Sequence, residues 1–516
     1  MKKNRHIYNM NRCVFIKGFG EKNSFLASTL SKYGIIEKIY DYNGGVIVQF
    51  DRESDAVSSM ELNKSIVNGR LINMEIRSIG TRNTSFLFLE LKQWFFVLCV
   101  MIISLCTHLP RIEYPKSVVF DETHFGNFIS DYIKGVSFFD IHPPLAKLIL
   151  AGYAKVIGYD GKYNFSTPDS KYSSDFYINL RRFPAIFSSL VSPLITASLY
   201  LRGNSNAFSI MGGLLFAFDF TSITQSRFIL TDGILYFFVA LTIYVSSMLK
   251  HKENWTIILL QALAGSCAFC CKFTAGGTLV FIAFTHITLL RGRKDWFLIL
   301  FIRGSVIFFV LLSVIWTTMY IHIKMLPRIG YGDKYMRPDF REMSIYNQIP
   351  ELLYQMYRYN RDLTATHPYS SKWYQWPFSI SIPLLIWMKW PNQFIFIFNN
   401  PVCSIASLIG AIASLFYLQF DLLFGYLASY VPFFFVTRCM WSYHYQIPLI
   451  FGIMAFSHVS DTFFHKRKGL WSSIVLLLCI ASYLFWFSWI YGTSMPYDNH
   501  KTRVIWPELK KMLNIK

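Results

Sequence analysis

Between Trp94 and Tyr491 the chain passes repeatedly through long stretches without a charged residue, more of them than a fold surrounded by water can bury. With 53% of its 516 residues hydrophobic, 18% aromatic and only 16% charged, most of this region has to face lipid. The first 80 or so residues are mixed and polar instead, so the expectation is a small soluble head joined to a membrane body.

Apolar runs place candidate spans at about 94–109, 183–201, 207–219, 229–249, 255–271, 273–290, 296–322, 401–419, 421–437, 440–460 and 471–491, eleven in all. The N-terminus, Met1-Lys2-Lys3, is charged and lacks the apolar core of a signal peptide, which predicts a cytosolic head anchored by the first span. The short connections on that side then carry Arg202, Lys250-His251-Lys252, Arg291-Gly292-Arg293-Lys294 and Lys466-Arg467-Lys468, as the positive-inside rule requires. They also account for part of the formal net charge of +20, which anionic headgroups can neutralise. The nine cysteines sit mostly inside apolar runs and read as small buried hydrophobes, Cys267-x-x-Cys270 included.

Two long connections, 110–182 and 323–400, and the tail 492–516 fall together on the far side, where a site can be built over a helical body. Residues 145–158 are apolar but brief and read as a helix lying at the interface. Asn164-Phe165-Ser166 is a glycosylation sequon on the far side, useful as a reporter of topology.

The first long connection contains Phe120-Asp121-Glu122-Thr123-His124-Phe125-Gly126 and then Phe138-Phe139-Asp140-Ile141-His142-Pro143-Pro144-Leu145-Ala146-Lys147. Transfer to a hydroxyl needs a carboxylate that takes the proton while the nucleophile is aligned, and neighbouring carboxylates push their pKa values apart. Asp121 and Glu122 offer that chemistry; an acidic pair capping a short helix is the competing reading of the dipeptide alone. No His, Cys, Asp and Glu spacing matches a metal site, so no tightly bound metal or other cofactor is expected, with a free divalent cation left open.

These motifs closely resemble the first luminal loop of the protein O-mannosyltransferases, a GT-C-type family. Further matches follow in order over roughly residues 90–516: Arg181-Arg182-Phe183-Pro184-Ala185, Gln225-Ser226-Arg227-Phe228-Ile229-Leu230-Thr231-Asp232, His367-Pro368 with Ser371, Trp376-Pro377-Phe378, Asn400-Pro401, and Arg438 with Tyr443-His444-Tyr445. The resemblance implies transfer of mannose from dolichyl phosphate mannose to Ser or Thr hydroxyls of proteins in the endoplasmic reticulum. It also implies an eleven-helix body with a cytosolic N-terminus and a luminal C-terminus. By resemblance Asp121 is the base and Glu122 positions the acceptor, Arg181 and Arg227 bind the donor phosphate, and His142 and Asp140 organise the loop. Asp232 and His444 are weaker candidates. Family members commonly pair as homo- or heterodimers, and most carry a β-trefoil of MIR repeats between the seventh and eighth spans. Residues 323–400 are too few to hold one, so that domain is expected to be absent.

Residues 1–80, followed by a linker at 81–93, alternate strand, helix, strand, strand, helix, strand and resemble an RNA recognition motif. Val14 to Phe19 fits the shorter signature with Phe15 at a stacking position, and Asn68-Gly69-Arg70 fits the turn after the second helix. The longer signature, Asn43 to Phe50, is degraded, with Gly45 and Ile47 where aromatics are expected. Twelve Lys or Arg against eight Asp or Glu make a weak basic footprint. The fold class expected is therefore mainly α: a polytopic GT-C-type membrane body of about eleven helices, comprising 94–322 and a C-terminal four-helix region at 401–491, with a small N-terminal α/β domain. The alternatives to mannosyl transfer are an RNA tether at the endoplasmic reticulum and a GT-C transferase with another acceptor.

Overall fold

The computed structural model describes residues 13–17, 24–42, 45–50, 53–63, 66–67, 70–71, 73–76 and 88–513, apart from 365, 418 and 465. Met1-Lys2-Lys3, Gly18, Phe19, Asn43, Gly44, Asn68, Gly69, linker residues 81–87 and the last three residues of the tail lie outside these, as does the side chain of Phe15.

The chain divides into two units. The first comprises Met1–Glu90 together with Met248–Ile257. In it, β1 (Cys13–Lys17), β2 (Ile36–Tyr42), β3 (Gly45–Phe50) and β4 (Asn73–Ile76) form an antiparallel sheet ordered β2-β3-β1-β4. Helices α1 (Ser24–Leu30) and α2 (Glu53–Ser59) join them. Val14, Ile16, Val46, Val48 and Phe50 alternate onto one face and make its core with Leu30, Ala56 and Met74. The expected separate α/β head is corrected on two counts. The unit also takes in residues 248–257, so it is not a self-contained segment ending near residue 80. Ile47 and Gln49, which point to the opposite face of β3, are also buried, whereas a base-stacking platform has to be open.

The second unit, Leu91–Ser247 with Ile258–Lys516, is helical and polytopic. In order it contains α3 (Leu91–His108), α4 (Glu122–Lys134), α5 (Leu145–Val156), α6 (Phe176–Ser189), α7 (Val191–Leu201), α8 (Asn206–Ala217), α9 (Phe220–Ser226), α10 (Asp232–Leu249), α11 (Trp255–Cys271), α12 (Gly276–Leu290) and α13 (Trp296–Met325). Then come α14 (Ile345–Asp362), the hairpin β5 (Leu384–Lys389) and β6 (Gln393–Ile397), α15 (Pro401–Phe416), α16 (Phe420–Tyr430), α17 (Gln446–Phe463) and α18 (Lys468–Tyr491).

Among the described residues six helices are long and apolar enough to cross a membrane: α3, α6 with α7 (Phe176–Leu201), α10, Phe273–Leu290, α13 and α18. The bent pair α8 and α9 makes seven if it is one span. This corrects the expected eleven. The runs at 255–271, 401–419 and 421–437 do form apolar helices, Trp255–Cys271, Pro401–Phe416 and Phe420–Phe434, but each is too short to cross a membrane by itself. The helix α17 carries Gln446, Ser457, His458, Ser460 and Asp461 and does not qualify either.

Where the helices pack, small residues let the backbones approach. A Cβ on Gly452 of α17 would lie 2.0 Å from the hydroxyl of Ser407 and 2.5 Å from its carbonyl oxygen, so only glycine fits against α15 there. A short helix, α5, forms at Leu145–Val156, where one was expected at 145–158. In the segment 323–400 the structure places α14 and the β5-β6 hairpin.

Candidate active site

The two adjacent acids of the first long loop go to different places. Asp121 occupies the N-cap position of α4, yet its side chain makes no capping hydrogen bond. The preceding Phe120 has a φ of 51°, a left-handed conformation rare for a bulky residue, and this strained turn delivers the pair. A few residues on, Gly126 keeps α4 close to the loop beyond it, since a Cβ would lie 2.3 Å from the buried ring of Phe165.

Glu122 is fully buried and wholly consumed. Its Oε1 accepts from Arg181 Nε at 2.7 Å and Ile229 N at 3.0 Å. Its Oε2 accepts from Arg181 Nη2 at 2.7 Å, Val119 N at 2.9 Å and the Tyr172 hydroxyl at 3.0 Å. Arg181 is equally occupied, donating also to the carbonyls of Pro115 at 2.8 Å and Ser117 at 2.9 Å, between the rings of Tyr177 and Phe228. This bidentate pair ties α4, α6 and the loop 112–119 into one rigid block. Arg227 is buried beside the Tyr491 ring and donates to the carbonyls of Ile490 at 2.8 Å and Arg111 at 3.2 Å. Neither arginine is brought to Asp121.

Other cations are. Burial raises the Asp121 pKa to about 6; the charges of His124 and Lys272 oppose the rise, and those of Asp232 and Asp140 add to it. Lys272 pairs with Asp232 at 2.8 Å and lies over the ring of Tyr443. Tyr443, whose pKa burial pushes well above its usual value, feels both Asp121 and Asp232 as well as Arg438. His142 and His444 are each driven to about 3 by burial, and the charges of Lys272 and Arg438 act on both. Asp121 thus shares its surroundings with a second carboxylate, Asp232, and with the lysine that pairs with it, while Tyr443 links both acids to Arg438.

The Asp140-to-Pro144 turn is pinned from below. Lys147, buried at the start of α5, pairs with Asp140 and donates to the carbonyls of His142 at 2.8 Å and Pro143 at 3.2 Å. The proximity of Lys147 and His142 holds the Asp140 carboxyl below its usual value against its burial. These contacts join Asp140 and the His142 backbone to Lys147 at the start of α5. The other ordered motifs serve support: Trp376 donates to Ser371 at 2.8 Å and stacks on His444, and Asn400 caps α15 by accepting from Val402 N.

A cleft of about 850 Å³ is lined by Arg438, by Phe269, Phe273, Phe433 and Val436, and by Leu353 and Tyr357 of α14. Sequence reasoning gave Lys272 no role. Its signal was a lone cation between two apolar runs, Cys271-Lys272-Phe273, where burying a charge demands a partner. Arg438 and Tyr443 were seen as motif members without a task. Among the described residues no three His, Cys, Asp or Glu side chains gather as metal ligands would.

The family model described as dolichyl-phosphate-mannose-protein mannosyltransferase matches residues 98–327, and the C-terminal four-helix region of protein O-mannosyltransferase matches 414–508, together more than half of the chain. A Saccharomyces cerevisiae dolichyl-phosphate-mannose–protein mannosyltransferase 1 is 29% identical over 318 residues, covering 58% of this chain and 38% of the relative. Candida albicans mannosyltransferase 4 is 32% identical over 265 residues, covering 47% and 35%. Drosophila melanogaster protein O-mannosyltransferase 1 is 31% identical over 265 residues, covering 47% and 29%. The chain thus spans about a third of the length of these curated relatives. In fold it is similar to a chain of the S. cerevisiae protein O-mannosyltransferase Pmt1-Pmt2 complex bound to the sugar donor, with a TM-score of 0.75 at 18% identity over 81% of this chain and 93% of that one. The chain belongs to the protein O-mannosyltransferase family and has its GT-C-type helical fold.

Proposed function

We propose that this chain transfers mannose from dolichyl phosphate mannose to Ser or Thr hydroxyls of proteins, at the luminal face of the endoplasmic reticulum membrane, with a cytosolic N-terminus and a luminal C-terminus. The observation that carries the reading is Asp121: a carboxylate left uncapped by its own helix, beside Lys272, in a site whose further cation, Arg438, ends an apolar cleft. The acceptor oxygen attacks the sugar C1 while Asp121 takes its proton. The bond from C1 to the phosphate oxygen breaks with its electron pair, releasing dolichyl phosphate, and the configuration at C1 inverts. Lys272 and Arg438 offset the phosphate charge, and the apolar cleft takes the first isoprene units of the lipid.

In this reading Glu122 and Arg181 hold Asp121 in position, instead of meeting acceptor and donor themselves, and Arg227 supports the far end of the same block. Acceptors reach Asp121 past α14 and the hairpin, without MIR repeats in the segment 323–400. Pairing with a second family member is part of the proposal, since the similar solved structure is a complex of two. Membranes containing the chain should transfer labelled mannose from the dolichyl donor to a Ser/Thr peptide. Transfer to a lipid-linked glycan but not to the peptide would replace the acceptor class.

A further inference from the structure

The helix α14 has three faces where an ordinary surface helix has two. Ile349, Leu352 and Met356 form a buried stripe against Phe139 and against Met319 of α13. Asn347, Glu351, Arg358 and Asp362 form a polar stripe. Between them Tyr346, Pro350, Leu353, Tyr354, Tyr357 and Arg361 recur at helical spacing along a third line. Its tyrosines are left 70%, 56% and 60% exposed, at positions 346, 354 and 357.

What meets that third face follows from α13. Along its 30 residues many large apolar side chains are exposed, Phe297, Phe301, Phe309 and Leu312 among them, and Met319 is the one that is buried, as a lipid-facing helix requires. Trp296 and Trp316 are both exposed and stand 20 residues apart, about 30 Å along the axis, which is the thickness of a hydrocarbon core. Tryptophan settles at the two interfaces, so Trp316 marks the headgroup level. Tyr346, in the first turn of α14, has its ring 6.0 Å from that of Trp316. The aromatic stripe of α14 therefore starts where the lipid-facing surface of α13 leaves the membrane and continues it sideways. Its far end, Leu353, Tyr357 and Arg361, lines the cleft that leads to Arg438.

We infer that α14 lies in the plane of the membrane interface, with Tyr346, Tyr354 and Tyr357 embedded among phospholipid headgroups, and forms the membrane-side wall through which a lipid-linked substrate enters the cleft. Arg361, over the ring of Tyr357, holds the wall at the headgroup level. The buried stripe couples this wall to Phe139, the residue before Asp140 of the active-site turn.

Photoreactive benzophenone residues placed singly at Tyr346 and at Glu351 of the full chain, about 140° apart around α14, read the lipid contact in native membranes without any catalysis. Phospholipid adducts are expected at 346 and none at 351. Adducts at 346 only to protein, whether a second copy or another chain, or equal yields at both positions, overturn the inference. The second arm rests on the proposed function: Tyr357→Ser should raise KM for the long-chain donor at least fivefold with kcat within twofold, and Tyr357→Phe should restore it. An unchanged KM refutes the role as entry wall while leaving the lipid contact to stand or fall on the adducts.

Discussion

Removing one charge from Glu122 and one from Asp121 should have opposite consequences, though the residues are adjacent. Glu122→Gln keeps the shape of the side chain but places an amide where five donors converge, from Arg181 twice, Val119, Ile229 and Tyr172. At least one donor then faces a donor, and Arg181 keeps its charge in a fully buried place with only carbonyls to meet it. Breaking a buried pair from one side costs about 3–5 kcal/mol, against a typical total stability of about 5–15 kcal/mol. Asp121→Asn removes a charge whose burial already raises its pKa, and whose side chain caps nothing, so it should fold as well as the native chain or better. Loss of the base should lower kcat about 100- to 10,000-fold. Thermal inactivation of both variants in lipid nanodiscs, followed by a conformational probe and by transfer, separates the two roles. A Glu122→Gln chain as heat-resistant as the native one, or an Asp121→Asn chain that unfolds, refutes the division of labour.

Three further outcomes follow. Asp121 must be ionised to take a proton, so kcat/KM should fall as pH drops through about 6, where Asp121 protonates. Lys272→Met should move that inflection upward, because the lysine charge favours the ionised form; a pH profile that does not shift contradicts the placement of Lys272. Arg438→Ala should raise KM for the donor at least tenfold, with Arg438→Lys recovering only part of it, as a point charge replaces a fork on phosphate; an unaffected donor KM removes Arg438 from the site. Gly452→Val should force α15 and α17 apart and cost about 1–3 kcal/mol, visible as a lower inactivation temperature, whereas an unshifted temperature would mean the helices can part freely.

The membrane body and the acidic loop were legible because both are local: uncharged runs reveal lipid exposure, and Phe120 to Lys147 is one continuous stretch. The number of spans was not, since composition locates an apolar run but does not show where a helix stops. Phe218 and Asp219 break a run that looks continuous into the bent pair α8 and α9, and the run at 421–437 yields an α-helix that ends at Tyr430. The roles of the arginines were equally hidden. Whether Arg181 meets a phosphate or a carboxylate depends on Glu122, 59 residues away in sequence, turning inward while Asp121 stays in the site. In the N-terminal unit the order of strands and helices could be read from alternation, but the burial of Ile47 and Gln49 could not, because alternation assigns the second face of β3 to solvent.

The central claim is that Asp121 deprotonates a protein hydroxyl for attack on a dolichyl-linked mannose. Purified chain in nanodiscs, given dolichyl phosphate mannose and a Ser/Thr peptide, tests it most directly by comparison with Asp121→Asn. The account predicts a mannosylated peptide inverted at C1 from the native chain and at least a hundredfold slower formation by a variant that folds normally. Equal rates from the two chains would contradict it.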